Sequence, residues 1–153
     1  MEKILFVCLG NICRSPMAEA VMKEKIRKAG LEKSLVVASA ATSSWEAGNP
    51  PHSGTQKILK HKGISYEGIR STTIKPTDFH TYDYIIGMDQ SNLEDLERMA
   101  PQDWQGTLHL FMAPVVGKET EEVPDPYYTG DFQQTFEMVD QGAEAWLQQL
   151  TQK

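Results

Sequence analysis

The segment Cys8-Leu9-Gly10-Asn11-Ile12-Cys13-Arg14-Ser15-Pro16 places residue types at a spacing suited to nucleophilic attack on a phosphate ester. A cysteine attacks as its thiolate, a form favoured by a helix N-terminus and by a nearby guanidinium. Arg14 is a planar fork that matches two phosphate oxygens. The residues between Cys8 and Arg14 give the backbone enough length to curl its amides around an anion. Gly10 is expected to provide the conformational freedom for that curl. Attack by Cys8 on phosphorus would then run in line with the leaving oxygen. A phenol has a pKa of about 10, so its oxygen leaves more easily with a proton, and a positioned acid typically contributes about 10²–10⁴ in rate. Asp125, between Pro124 and Pro126, is the candidate acid, because the two prolines stiffen its loop. Taken singly, each group has a plainer reading: Cys8 as a small core residue, Arg14 as a surface charge, Asp125 as part of a turn.

Such a site needs a strand that delivers the cysteine and a helix that starts beside the arginine. Residues 3–7 are a short apolar run and read as a buried strand. After the loop, Ser15 can cap a helix and Pro16 suits its first turn. Ala18, Met22, Ile26 and Ala29 fall at helical spacing, and Gly30 ends the pattern. Further strands are expected over 35–38, 82–88 and 107–111, and helices over 55–62 and 89–99. Loops are expected over 43–54 and 123–128. Phe132, Phe136, Val139, Ala143, Trp146 and Leu150 mark a long final helix. Alternating strands and helices favour a parallel sheet with helices on both faces. In that architecture ligands bind beyond the carboxyl ends of the strands, where the loop from Cys8 to Ser15 would sit.

The chain of 153 residues suggests one domain over 1–153, with no repeat or low-complexity tract. A net charge of −6 disfavours nucleic acid and anionic membranes as partners. No apolar run approaches the roughly 18 residues of a membrane span, and residues 4–9 do not form a leader, so a cytoplasmic location is expected. Two cysteines do not make a secreted disulfide framework. With no second cysteine pair and no close histidine pair among His52, His61, His80 and His109, no metal is expected. Cys13 is a candidate redox guard, since an exposed low-pKa thiolate oxidises readily and a neighbouring thiol can trap the sulfenic acid. Its alternative is a small loop residue.

The stretch Val7-Cys8-Leu9-Gly10-Asn11-Ile12-Cys13-Arg14-Ser15-Pro16-Met17-Ala18-Glu19 resembles the phosphate-binding loop of low-molecular-weight protein tyrosine phosphatases. Asp125-Pro126-Tyr127-Tyr128 resembles that family's general-acid loop. Ser39-Ala40-Ala41-Thr42-Ser43, Gly48-Asn49-Pro50-Pro51 and Met88-Asp89-Gln90-Ser91-Asn92 are similar to further family segments. The resemblance implies a three-layer α/β fold with a four-stranded parallel sheet, and no cofactor. It implies hydrolysis of phosphotyrosine through a cysteinyl-phosphate intermediate. Cys8 would be the nucleophile and Asp125 the acid, then the base. Leu9, Gly10, Asn11, Ile12, Cys13, Arg14 and Ser15 would bind phosphate. Ser15 would hydrogen-bond the thiolate, Asn11 and Ser39 would hold the loop, and Asp89 would support it. Trp45, Asn49, Tyr127 and Tyr128 would wall a slot for the phosphotyrosine ring, with Leu9 and Ile12 at its floor and lip. The partner would be a phosphotyrosine protein, met by a monomer.

The family often carries a histidine soon after the segment similar to residues 61–64. Here that stretch is Ser65-Tyr66-Glu67-Gly68-Ile69-Arg70, without one. Two other activities share the scaffold. Arsenate reduction generally needs cysteines beyond the two present here. Protein-arginine phosphatases typically carry threonine where this chain has Ile12, and alter the double tyrosine.

Overall fold

The computed structural model describes residues 1–152. The apolar run at the start forms β1 (Glu2–Cys8), whose Ile4, Leu5, Phe6 and Val7 are all buried. A strand buried on both faces belongs at the centre of a covered parallel sheet. It pairs in parallel with β2 (Leu35–Ala41) on one side and with β3 (Tyr84–Gly87) on the other. β4 (Leu108–Leu110) adds to β3, giving four parallel strands in the order β2-β1-β3-β4.

Successive side chains of a strand point to opposite faces, so β1 feeds two cores. Ile4 and Phe6 pack with Met17, Val21 and Met22 of α1 (Arg14–Lys28) and with Phe136, Val139 and Trp146 of α6 (Phe132–Thr151). Leu59 of α2 (Ser53–His61) joins that layer. Leu5 and Val7 face the second core, with Phe79 of α3 (Pro76–Thr81) and Leu96 of α4 (Gln90–Met99). Helix, sheet and helix form three layers, as expected. Buried Trp146 donates its indole N–H to the Phe111 carbonyl at 2.7 Å, fixing α6 to the segment after β4.

The differences from the expected elements are local. Two short helices interrupt stretches that carry no helical periodicity: α3, and α5 (Pro126–Thr129) after the candidate acid. β3 starts at Tyr84 and not at 82, where Asp83 instead uses its carboxylate to accept the Lys3 amide at 2.8 Å. Among the described residues no helix is long and apolar enough to cross a membrane.

The chain leaves β1 for β2 on one side and later returns to β3 on the other. The crevice at the carboxyl end of β1 is thus the topological switch point of the sheet. Cys8 ends β1, and Asp89 follows β3.

Candidate active site

The loop after β1 turns back on itself through one left-handed residue. That residue is Asn11, with φ of 54°; Gly10, the glycine expected to do this, is not among the positive-φ residues. Asparagine tolerates this conformation better than most side chains. Here it is locked by both ends of its amide. Asn11 Nδ2 donates to Ser15 Oγ at 2.7 Å and to Ser39 Oγ at 2.9 Å, while Oδ1 accepts the Thr72 amide at 3.0 Å. Gly10 contributes its carbonyl, which accepts the Ser71 hydroxyl at 2.8 Å.

Helix α1 starts at Arg14 with Cys13 as its N-cap residue, and no side chain caps it. Ser15, expected as that cap, lies inside the helix and turns its hydroxyl to Cys8 Sγ at 3.0 Å. Its oxygen already accepts from Asn11, so its proton is free to donate to sulfur. The Asn11 amide adds a second donor to Cys8 Sγ at 3.3 Å. Two hydrogen bonds thus converge on the sulfur.

Arg14 is buried and runs beneath this loop. Nη1 donates to Asp89 Oδ2 at 2.6 Å and to the Val123 carbonyl at 3.0 Å; Nη2 reaches Asp125 Oδ2 at 3.4 Å. Nε is buried with no partner. An orphaned buried donor costs about 1–3 kcal/mol, so its edge is suited to an anionic oxygen. Burial opposes the charge of Arg14, but Cys8, Asp89 and Asp125 outweigh burial and hold its pKa above the ordinary value. Asp89 serves two neighbours at once, because Oδ1 caps α4 by accepting the Asn92 amide at 2.8 Å. Asp125 likewise caps α5, accepting the Tyr127 amide on Oδ1 at 3.1 Å.

Above the loop lies a small cavity of about 140 Å³. It is lined by Cys8, Leu9, Gly10, Ile12 and Cys13 below, and by Trp45, Glu46, Asp125, Tyr127 and Tyr128 around the mouth. Trp45 is 77% exposed, so it is a rim residue and no part of the core. Asn49, expected in the pocket, does not line it: its Nδ2 donates to Glu46 Oε1 at 2.7 Å, one turn away. Burial, then the charges of Asp125 and Cys8, push the Cys13 thiol up to about 12, against the weaker pull of Thr55 and Arg14.

Several residues at this end of the sheet carried no expected role, Ser71 and Val123 among them. Glu46 lines the cavity. Thr72 clamps Asn11. Glu19 is a nearly buried carboxylate that accepts the Ser39 hydroxyl at 2.6 Å and the Lys23 ammonium at 2.5 Å. Its signal was available, since Ser15, Glu19 and Lys23 recur every four residues along one helix face. Among the described residues no cluster of three His, Cys, Asp or Glu side chains is arranged to hold a metal ion.

A four-stranded parallel α/β sheet with this anion cradle at its switch point matches the model of the low molecular weight phosphotyrosine protein phosphatases over residues 3–153, and the chain belongs to that family of hydrolases. It is 43% identical to the low molecular weight protein-tyrosine-phosphatase YfkJ of Bacillus subtilis over 149 residues, covering 96% of this chain and 94% of the relative. The crystal structure of YfkJ superposes with a TM-score of 0.95, covering 99% and 96% of the two chains at 41% identity. PtpA of Staphylococcus epidermidis, another low molecular weight protein-tyrosine-phosphatase, is 46% identical over 139 residues, 91% of this chain and 87% of that one. The crystal structure of DARP, a drosophila arginine phosphatase, is also similar, with a TM-score of 0.88 at 35% identity over 97% of each chain. The chain is a protein-tyrosine phosphatase, and phosphoproteins are its substrates.

Proposed function

We propose that Cys8, Arg14 and Asp125 carry out the hydrolysis in two steps, on phosphotyrosine in cytoplasmic proteins. In the first, Cys8 Sγ attacks phosphorus and forms an S–P bond while the P–O bond to tyrosine breaks. Asp125 gives its proton to the departing phenolate oxygen. In the second, water attacks the cysteinyl phosphate, its proton passes to Asp125, and the S–P bond breaks. Inorganic phosphate leaves and the thiolate returns. Residues 9–15 bind the phosphate oxygens, Arg14 through its Nε and Nη2 edge.

The observation that carries this reading is the buried, unpartnered Nε of Arg14 beside a sulfur that receives two hydrogen bonds. Asp89 and the Val123 carbonyl occupy Nη1, which orients the remaining edge for two oxygens of one phosphate. Asn11 and Ser39 hold the loop in its left-handed turn, and Asp89 holds the guanidinium. Leu9, Ile12, Trp45, Tyr127 and Tyr128 enclose the aryl ring. A mechanism that needs a reduced thiol fits a reducing cytoplasm.

A second reading, hydrolysis of phosphoarginine, is favoured by the similarity to DARP. The apolar side chain of Ile12 at the cavity weighs against it, because a guanidinium placed there lacks a partner. The test is turnover of p-nitrophenyl phosphate, phosphotyrosine, phosphoarginine and arsenate by purified protein. Phosphotyrosine should be turned over best, and Cys8→Ser should abolish turnover while keeping phosphate binding. More than about a thousandth of wild-type activity in Cys8→Ser would refute the covalent step, since activated nucleophiles usually contribute more.

A further inference from the structure

We propose that His52 is a positioning residue: its ring braces Tyr127 across the slot from Ile12 and so sets the affinity for the aryl part of the substrate without touching it. The proposal rests on the phosphatase reading above.

His52 is the N-cap residue of α2. Its backbone N–H donates to the Ile12 carbonyl at 2.7 Å, which ties the start of α2 to the phosphate loop. Its Nδ1 accepts the Gly54 amide at 3.0 Å. Any of the ordinary capping side chains, Ser, Thr, Asp or Asn, would satisfy that amide with fewer atoms. What the imidazole adds is a ring that reaches the other wall. It stacks on Phe132 with centroids 5.2 Å apart and planes 21° apart. It meets Tyr127 edge to face at 6.0 Å and 79°. Tyr127 in turn meets Tyr128 at 5.3 Å and 75°.

The result is a continuous file of rings, Phe132, His52, Tyr127, Tyr128, from the root of α6 to the mouth of the cavity. Gly54 is shaped for it, because a Cβ there would come within 2.5 Å of the Phe132 ring. Tyr127 is 58% exposed, so few contacts decide where its ring stands. Arg14 is the other link between the phosphate loop and the acid loop, through Val123 and Asp125. His52 supplies a link that acts on the aryl wall alone.

Two substitutions separate the cap from the ring. His52→Asn keeps a capping oxygen and removes the ring; His52→Phe keeps a ring and removes the cap. The measurements are KM and kcat for p-nitrophenyl phosphate, the competitive Ki of inorganic phosphate, and Tm. His52→Asn should raise KM about three- to tenfold, the factor that one edge-to-face ring contact is worth, with the phosphate Ki held within about twofold. His52→Phe should lower Tm and keep KM within about twofold of wild type. An unchanged KM in His52→Asn overturns the proposal. So does a KM that rises in step with the phosphate Ki, which would place the effect in the phosphate loop. An equal KM rise in both variants overturns it as well. Should His52→Asn fail to fold, Phe132→Leu removes the stack from the other side and must raise the same KM; no rise is again refutation. A wild-type protein that leaves the ester intact would instead sink the phosphatase reading.

Discussion

Peroxide should convert the Cys8 thiolate to a sulfenic acid, and the proton on Cys13 should set how fast that state is resolved. In resolution the Cys13 thiolate attacks the Cys8 sulfur, the S–O bond breaks, and the hydroxyl leaves as water with the thiol proton. Burial, then Asp125, then Cys8 push Cys13 up to about 12. At neutral pH a group with that pKa is ionised in only about one molecule in 10⁵. Oxidation removes the charge of Cys8, but burial and Asp125, the two larger causes, remain. Below its pKa each pH unit multiplies the thiolate tenfold, so closure should accelerate about a hundredfold between about pH 6.5 and 8.5. The assay is a peroxide pulse at low pH, a jump to the test pH, alkylation of free thiols, and mass spectrometry of the peptide carrying residues 8 and 13. Asp125→Asn should speed closure at fixed pH by removing the second-largest cause. Closure independent of pH would refute the argument, because the attacking group would then not be a protonated, buried Cys13. Recovery of activity by added thiol should be much poorer in Cys13→Ser; equal recovery would remove Cys13 from this role.

The same thiol should weaken the fold in alkali. The unfolded chain releases the proton near 9.0 and the folded one near 12, so the native state holds more protons in between, and stability falls as pH rises through that window. The loss reaches about 4 kcal/mol at 1.36 per unit, and Cys13→Ser should flatten it in urea titrations; a parallel loss in both proteins would refute it. Asp125→Asn should lower kcat most for aryl phosphates with poor leaving groups, so the plot of log kcat against leaving-group pKa should steepen; an unchanged slope removes Asp125 as the acid. Wild type should prefer phosphotyrosine over phosphoarginine by at least about tenfold in kcat/KM, roughly 1.4 kcal/mol. Ile12→Thr should shift that ratio toward phosphoarginine, and an unmoved ratio leaves specificity to Trp45, Tyr127 and Tyr128.

What could be read along the chain was whatever is local along it. Residues 8–15 are contiguous, and the apolar run of β1 fixes their position, so the placement of Cys8 and Arg14 at one loop was legible. The long helix α6 announced itself through the spacing from Phe132 to Leu150. α3 did not, because one buried side chain, Phe79, anchors six residues, too few for a period to show. The clamp on Asn11 was half legible. Ser39 was expected, but Thr72 lies 61 residues away and contributes a backbone amide, which no side-chain pattern encodes. The pocket wall went wrong by one turn: Glu46 and Asn49 sit three residues apart in a bend, and which of them faces the cavity depends on their hydrogen bond. The left-handed position fell on Asn11 because its side chain has three partners to repay the strain, whereas Gly10 has no side chain with which to hold any.

The hydrogen bond from Thr135 Oγ1 to the Pro124 carbonyl, at 3.3 Å, connects the last helix to the loop of the candidate acid. Thr135 is fully buried, and α6 also packs along α1, the helix that starts at the arginine. Helix α6 therefore holds the loop of Asp125 against the same core that seats the loop of residues 8–15. A disturbance anywhere along that helix is thus transmitted through Pro124 to the mouth of the cavity, far from where it began.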